Sequence, residues 1–519
     1  TVTAGPLVSY NILATTALAL NTTFAFIAFR RWSAAMPSLV GAAVFGFSPY
    51  VIAASIGHLA QVMLMSAPLM LILLDRLLVV QAGKPWRDGL FLGLLAWAQL
   101  LTGEEVLAME AVTAAVLVIV LCAFNNRSVV IPHLRYAAKG LPAMVGAFVL
   151  PAAPFLAYQY AGPGRVQDVH PPNVYVSDLL NFVVPTNITQ FAPQAARHLS
   201  AHFTGNGSEQ GAYIGIPLLV LLALCLIVAR RRKLVWVALS VAAVTALLSM
   251  GPTVHVAGHI STFPLPDKYL QRLPFFHNLL PSRFSSMMFL ALGAVLAVGL
   301  HEMPRTSWTL FVGMGRATAA GPPSLRRVRI SLATAAWGLA LLGLAAIAPV
   351  VNFLDTQSPP VAAFTTRWVC SQQVGNPDPH ARAHAPRVNA LVLPGIDEMA
   401  LRWQSEAGFC YSTPTDTGMT GSAYGLIPVL PVLLAAGTPG LALPPITATV
   451  RSEAAGEIST MGVGEIMVAP WFPSIPIMTS TGQSQLVAWL TSLLRQQPEV
   501  NGDTYIWTHL PSASAIETP

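Results

Sequence analysis

Long apolar runs recur through the first two thirds of the chain, and most approach the ~20 residues that a helix needs to cross a bilayer. They predict ten membrane-spanning helices, over roughly 7–29, 35–56, 59–74, 88–103, 105–124, 137–160, 211–229, 234–251, 284–302 and 330–352. The third and fourth runs are short, which predicts tilt, a kink or a partly re-entrant path. Two long connections, 161–210 and 252–283, interrupt the series. After residue 352 the pattern changes. Short apolar runs at Ala390–Leu393 and Glu465–Pro470, an amphipathic stretch over Gln483–Gln497 and a strand-like Thr504–Leu510 predict strands and a helix. The chain therefore reads as an α-helical polytopic membrane protein. A transmembrane domain covers 1–352, and a small α/β or α+β domain covers 353–519.

Composition sharpens this picture. Of 519 residues, 54% are hydrophobic and 10% are charged, against about 25% charged in a soluble domain. Such a chain is not an ordinary soluble enzyme, and its net charge of +6 is not a nucleic-acid signal. Most of the 28 Lys and Arg sit in five alternate connections. These hold Arg30 and Arg31; Arg76, Lys84 and Arg87; Arg127, Arg135 and Lys139; Arg230, Arg231, Arg232 and Lys233; and Arg305, Arg316, Arg326, Arg327 and Arg329. Basic loops stay on the cytoplasmic side. That places 161–210, 252–283, both ends of the chain and the C-terminal domain outside. More than half of the 22 acidic residues lie in that domain. Arg far outnumbers Lys, and Ala, Gly and Pro abound, which points to a GC-rich bacterial genome and to the bacterial plasma membrane. A chain that starts outside and enters a span at once is expected to have lost an upstream span with its outer loop.

Ionisable groups at or inside a membrane are costly and mark candidate sites. Glu104 and Glu105 follow Thr102-Gly103 on a tight hairpin at the outer interface. They could bind a substrate or a divalent cation, or simply favour the helix N-terminus through its dipole. Glu110 lies about 7.5 Å deeper along the same helix; it needs a partner, a wet cavity or a proton. His58 and Gln61 share one helical face at the start of the third span and could bond a sugar or phosphate, or just each other's surroundings. Arg272 and Arg283 stand among aromatics at the end of the second outer loop, a pattern suited to a lipid phosphate or to plain headgroup anchoring. Asp168, His170, Asp178 and Glu209 make the first long loop a candidate lid. The spacings His198/His202 and His255/His259 could ligate metal on a helix but lack further ligands; no metal is assigned. Cys370 and Cys410 fall in the outer domain, where a disulfide between them is expected. No phosphate loop, dinucleotide glycine fingerprint or His-Glu-x-x-His motif occurs, and no cofactor is certain.

Several short stretches resemble one family. They are Tyr10-Asn11-Ile12-Leu13, Phe47-Ser48-Pro49-Tyr50, Gly57-His58 with Gln61, and Glu104-Glu105. Glu209 with Ala212-Tyr213-Ile214-Gly215-Ile216-Pro217-Leu218, then Pro281-Ser282-Arg283-Phe284, continue the set, and the helix–strand pattern of the tail completes it. Together they resemble the bacterial polytopic proteins related to the GT-C glycosyltransferases, which use polyprenyl-phosphate-linked sugars. The resemblance implies a polyprenyl-phosphate sugar donor and an envelope glycan or lipid acceptor on the outer face. It implies inverting transfer, with Arg283 stabilising the departing lipid phosphate and Glu104 or Glu105 positioning the acceptor or a cation. It also implies a catalytic acid in a first outer loop, which would fall upstream of Thr1. Two other classes fit the same sequence: a transporter or lipid flippase coupled through Glu110, and a non-catalytic envelope assembly protein whose tail binds a partner.

Overall fold

The computed structural model describes residues 6–55, 58–161, 173–273, 279–303, 307–314, 324–350, 388–393, 443–460, 462–469 and 480–510, with a few single positions between them. The chain divides into two compact units. One contains residues 2–156 and 170–354; the other contains 157–169 and 355–519.

The first unit is mainly helical. Its helices are α1 (Pro6–Phe29), α2 (Ala35–Gly46), α3 (Pro49–Ala54), α4 (Leu59–Val62), α5 (Ser66–Asp75), α6 (Pro85–Thr102), α7 (Glu104–Ala123), α8 (Arg127–Ala138) and all but the last five residues of α9 (Leu141–Ala161). There follow α10 (Gln194–Ser200), α11 (Ile216–Val228), α12 (Lys233–Ser249), α13 (Asp267–Leu270), α14 (Ser285–His301) and α15 (Leu332–Ala346). Among the described residues, five stretches are long and apolar enough to cross a membrane: Val8–Phe29, Leu59–Val80, Glu104–Ala123, Leu141–Ala161 and Pro281–His301. Helices α2, α11, α12 and α15 are apolar but shorter.

Two of the predicted spans are broken helices. The second divides at Phe47-Ser48, where Pro49 occupies the first turn of α3 and Ser48 caps it by accepting from the Val51 N–H at 3.4 Å. The third divides at Met63–Met65, where the Val62 carbonyl accepts from the Leu64 N–H at 2.9 Å and from the amide of buried Asn21 at 2.7 Å. Such breaks persist inside a bundle only when a neighbour satisfies the freed backbone. Helix α5 runs on as a π-helical turn, Arg76–Val80, closed by Gln81 in the left-handed region at φ 55°.

Helix α14 is buried along nearly its whole length, whereas α9 buries only Ala152. Burial of apolar area drives helices together weakly in lipid, so close packing carries more of the association. Helix α2 packs on α14 where Gly41 and Gly293 face each other, and a side chain at either position would collide with the opposite backbone carbonyl. One end of the unit is tied by charge: Arg31 with Asp75, Arg76 with Asp88 at 2.8 Å, and Arg232 with Glu302 at 2.5 Å. These basic residues belong to the connections assigned to one side from sequence.

The long connection before α14 is partly ordered as a hairpin, β1 (Thr253–Val256) and β2 (His259–Pro264). Its turn places both Ala257 and Gly258 at positive φ. Asp178 accepts from the Ala257 and Gly258 N–H groups at 3.1 and 2.8 Å, which holds the non-glycine residue there. Strands β3 (Ser307–Met314) and β4 (Ser324–Ser331) pair antiparallel between α14 and α15, where the sequence predicts only a basic connection.

In the second unit, β5 (Asn389–Leu393), β6 (Val463–Val468), β7 (Glu499–Asn501) and β8 (Thr504–Trp507) form a sheet of order β5-β6-β8-β7. The β5–β6 pair is parallel and the others are antiparallel. Helices α16 (Ala448–Thr460) and α17 (Ser480–Leu494) share one core with Leu391, Leu393, Val468 and Trp507. Ala390, Val392, Met467 and Ile506 join Trp403 and Tyr411 in a second core. The alternation of strand residues between two cores explains why each run reads as continuously apolar.

Candidate functional site

Three elements far apart in sequence bring charge to the end of the first unit opposite the basic pairs. Glu105 lies in the first turn of α7, directly after the single-residue link Gly103. Glu209 ends a 3-10 turn, Gly207–Glu209, which Asn206 caps by accepting from the Ser208 N–H at 3.0 Å. Arg283 lies in the 3-10 turn Pro281–Phe284 that leads into α14. Gly211 fixes the approach of the second element, because a Cβ there would strike the backbone of Tyr50.

The guanidinium joins the two carboxylates. Arg283 Nε and Nη2 donate to Glu209 Oε1 at 3.2 and 2.9 Å, and Nη1 donates to Glu105 Oε2. Each carboxylate has further donors. Glu209 Oε2 accepts from the Ser282 hydroxyl at 2.7 Å. Glu105 accepts from the Leu280 N–H and from Gln61 Nε2, both at 2.8 Å. The side chains of Arg283, Glu105 and Glu209 are 11%, 19% and 3% exposed. Buried Tyr50 points its hydroxyl toward Gln61 Oε1 at 3.5 Å, a long contact. Burial alone would raise the Glu209 carboxyl, but the charge and hydrogen bonds of Arg283, with Ser282, outweigh it and hold the group below the ordinary carboxylate range. His58 is also shifted down: burial first, then the Arg283 charge, disfavours its charged form, and a neutral imidazole can both donate and accept.

With both acids ionised, one Arg and two Glu leave a net charge of −1. This arrangement favours hydroxyl or amide donors over a bare anion. Arg283, expected from sequence to meet a lipid phosphate, spends three of its five N–H donors on the two carboxylates. Arg272 is exposed and lies over the Tyr269 ring at 5.5 Å.

A second acid group lies deeper along α7. Ser66 Oγ is 2.5 Å from Glu110 Oε1 and 2.6 Å from Gln99 Oε1, and Gln99 Nε2 donates to the Gly103 carbonyl at 3.3 Å. One hydroxyl proton cannot serve two acceptors, so a proton on Glu110 completes the chain. Glu110 and Thr113 line a mainly apolar cavity of about 100 Å³, and Glu110 Oε2 has no partner among the described residues.

The remaining expected residues are dispersed. Glu104 is partly exposed at the first position of α7. The His198 and His202 rings lie 5.4 Å apart and tilted by 57°, with His202 Nδ1 2.9 Å from the His198 carbonyl oxygen. His255 and His259 lie on opposite strands of the hairpin rather than on a helix. Among the described residues, no three His, Cys, Asp or Glu side chains gather to hold a metal. Cys122 and Cys225 are free thiols and Cys410 is disulfide-bonded; Asp168, His170 and Cys370 lie outside the described residues. Sequence reasoning gave no role to Tyr50, Ser66, Gln99 or Ser282. Only the Phe47-Ser48-Pro49-Tyr50 and Pro281-Ser282-Arg283-Phe284 stretches carried a signal for two of them.

Fold and site define a multi-pass membrane protein with a buried arginine–carboxylate cluster at one end of its bundle. The chain belongs to the family described as a domain of unknown function (DUF6311), whose profile matches residues 10–314. No curated protein matches it. Among solved structures it is similar to the arabinofuranosyltransferase AftD from Mycobacteria, at 13% sequence identity and a TM-score of 0.47. That match covers 98% of this chain and 34% of the other, so the chain spans about a third of that protein's length.

Proposed function

We propose that this chain belongs to a membrane glycosyltransferase that moves a sugar from a polyprenyl-phosphate donor to an envelope acceptor on the outer face of the bacterial plasma membrane. The observation that carries the reading is the Glu105–Arg283–Glu209 cluster beside Gln61 and His58. Fixed carboxylates with a neutral imidazole and an amide suit sugar hydroxyls, which need both acceptors and donors. The alternation of basic connections supports the side assignment for the cluster and for the C-terminal unit.

In this reading Arg283 is a clasp that orients the two carboxylates, and Arg272 meets the lipid phosphate. The acceptor oxygen forms a bond to the anomeric carbon. The bond from that carbon to the phosphate oxygen breaks, and the phosphate leaves with the electron pair. Both cluster carboxylates are bonded to Arg283, so they are assigned to binding and not to proton abstraction. The proton goes to a carboxylate not assigned among these residues. The test is label transfer from a polyprenyl-phosphate sugar by the full-length protein in membranes. Arg272→Ala should raise the donor KM, and Gln61→Ala should lower kcat/KM by about tenfold, the loss of one useful hydrogen bond to a charged or polar group. No transfer by the unmodified protein, or no change in either variant, would sink the reading.

A second reading, a proton-coupled transporter, draws on Glu110, which lines a mainly apolar cavity and has one oxygen without a partner among the described residues. Substrate uptake abolished by Glu110→Gln, without any label transfer, would favour it.

A further inference from the structure

A second cavity lies at the opposite end of the membrane unit from the acidic cluster, among the π-turn and α6, α7, α8 and α9. Its volume is about 360 Å³, and Leu77, Leu78, Leu92, Leu134 and Met144 are among its walls. No polar side chain lines it. The space exceeds ten times the ~30 Å³ share of one water, and an apolar wall of this kind stays dry. Within a bilayer, the material that fits is hydrocarbon.

Helix α8 forms one side of this cavity. It has no buried residue, and it presents Val129, Ile131 and Leu134 outward. The helix is anchored to the preceding turn: His133 Nδ1 lies 2.8 Å from the Leu78 carbonyl oxygen, Gln81 Nε2 donates to the His133 carbonyl at 3.0 Å, and the Tyr136 hydroxyl donates to the Gly83 carbonyl at 2.9 Å. Gly140 sits so close to the Pro85 carbonyl that a side chain there would collide with it. These contacts bring Lys84 and Lys139, each one residue from a contact point, to the same seam. Arg87 and Arg135 are near neighbours in sequence on α6 and α8. All four cations are exposed, and among the described residues none has an acidic partner. Arg76 differs, because Asp88 neutralises it at 2.8 Å.

An apolar cavity bordered by uncommitted cations has the chemistry of an anionic lipid site. We propose that this end of the protein binds one anionic phospholipid, with an acyl chain in the cavity and its phosphate on Lys84, Arg87, Arg135 and Lys139. The site is independent of the acidic cluster and of the transfer reaction proposed for it. Each Lys or Arg near a phosphate should favour an anionic over a zwitterionic headgroup by about fivefold.

The test is native mass spectrometry of the full chain in detergent, with phosphatidylglycerol and phosphatidylcholine of identical chains added in equal amounts. The unmodified protein should retain phosphatidylglycerol at least about fivefold over phosphatidylcholine. Arg135→Glu with Lys139→Glu, at exposed positions, should abolish that preference. Ala137→Phe, which fills the cavity, should reduce retention of both lipids, and Leu134→Gln at the half-exposed mouth repeats that arm if Ala137→Phe does not fold. Equal retention of the two lipids by the unmodified protein would overturn the proposal, as would a preference that survives charge reversal. Retention undiminished in the cavity variants would also overturn it, since the site would then be a surface charge patch.

Discussion

Glu105 and Glu110 stand five residues apart on α7 and are buried by opposite means. Glu105 has an arginine, an amide and a backbone N–H, and it shares the arginine with Glu209 from another element. Glu110 has one hydroxyl, and its other oxygen is buried without a partner among the described residues. A carboxylate leaves water as an ion only when fixed charge and hydrogen bonds replace its hydration; otherwise it carries its proton. One helix therefore holds an ionic cluster at its end and a neutral acid within the bundle. In the proposed function the cluster binds polar groups at the membrane surface, while Glu110 has no part in transfer.

The largest effect should come from removing the shared cation. Arg283→Met leaves two buried carboxylates without a counter-charge and should cost about 3–5 kcal/mol, read as heat or denaturant unfolding in detergent. Adding Glu105→Gln and Glu209→Gln to that variant should restore part of the loss. An Arg283→Met protein as stable as the unmodified one would remove the distinction between the two acids.

A third carboxylate sharpens it. Asp267 is buried with the Gln271 amide at 2.7 Å; burial pushes its carboxyl up to about 7, and that bond offsets only part of the rise. An unfolded Asp titrates near 3.9, so the native state holds the proton more tightly. The stability from this group is fully present below about pH 4, declines as pH rises through about 7, and is flat beyond. Asp267→Asn should remove that slope and melt a few degrees above the unmodified protein at pH 8. Glu209 should act with the opposite sign. Its native carboxyl is depressed, so its contribution is present above the unfolded value near 4.3 and is lost as pH falls through the native one. Melting curves from pH 3 to 8 on the single variants separate the two.

The smallest effect is expected at Glu110. Glu110→Gln keeps the shape of a neutral acid beside Ser66 and should change stability by less than about 1 kcal/mol. A loss comparable to that of Arg283→Met would mean that Glu110 is ionised and paired.

Much of the bundle could be read from sequence because a bilayer imposes length and hydrophobicity. Helix α1 matches the expected 7–29 almost to the residue. The break at Phe47-Ser48 was hidden, since Pro49 and Ser48 lie inside a run that stays apolar on both sides. Helix α8 escaped because it lies between two spans, and its apolar residues are too few to cross a membrane. In the tail, β5 and β8 follow apolar runs, but α16 has little apolar contrast and gave no signal. At the cluster, Glu105, Gln61 and Arg283 stand out in the sequence as polar groups at an interface, and Glu209 as a polar residue of the first long loop. Their assembly does not, because it depends on contacts between residues 178 positions apart for Glu105 and Arg283. Nor did the sequence reveal that Arg283 would be neutralised.

The most direct test is a side-by-side measurement of label transfer from a polyprenyl-phosphate sugar by membranes holding the full-length protein, its Glu209→Gln variant or its Glu110→Gln variant at matched folded amounts. The account predicts that Glu209→Gln lowers transfer by about tenfold or more, the loss of at least one charged hydrogen bond, while Glu110→Gln stays within about twofold. Full transfer by Glu209→Gln, with transfer lost in Glu110→Gln, would contradict it.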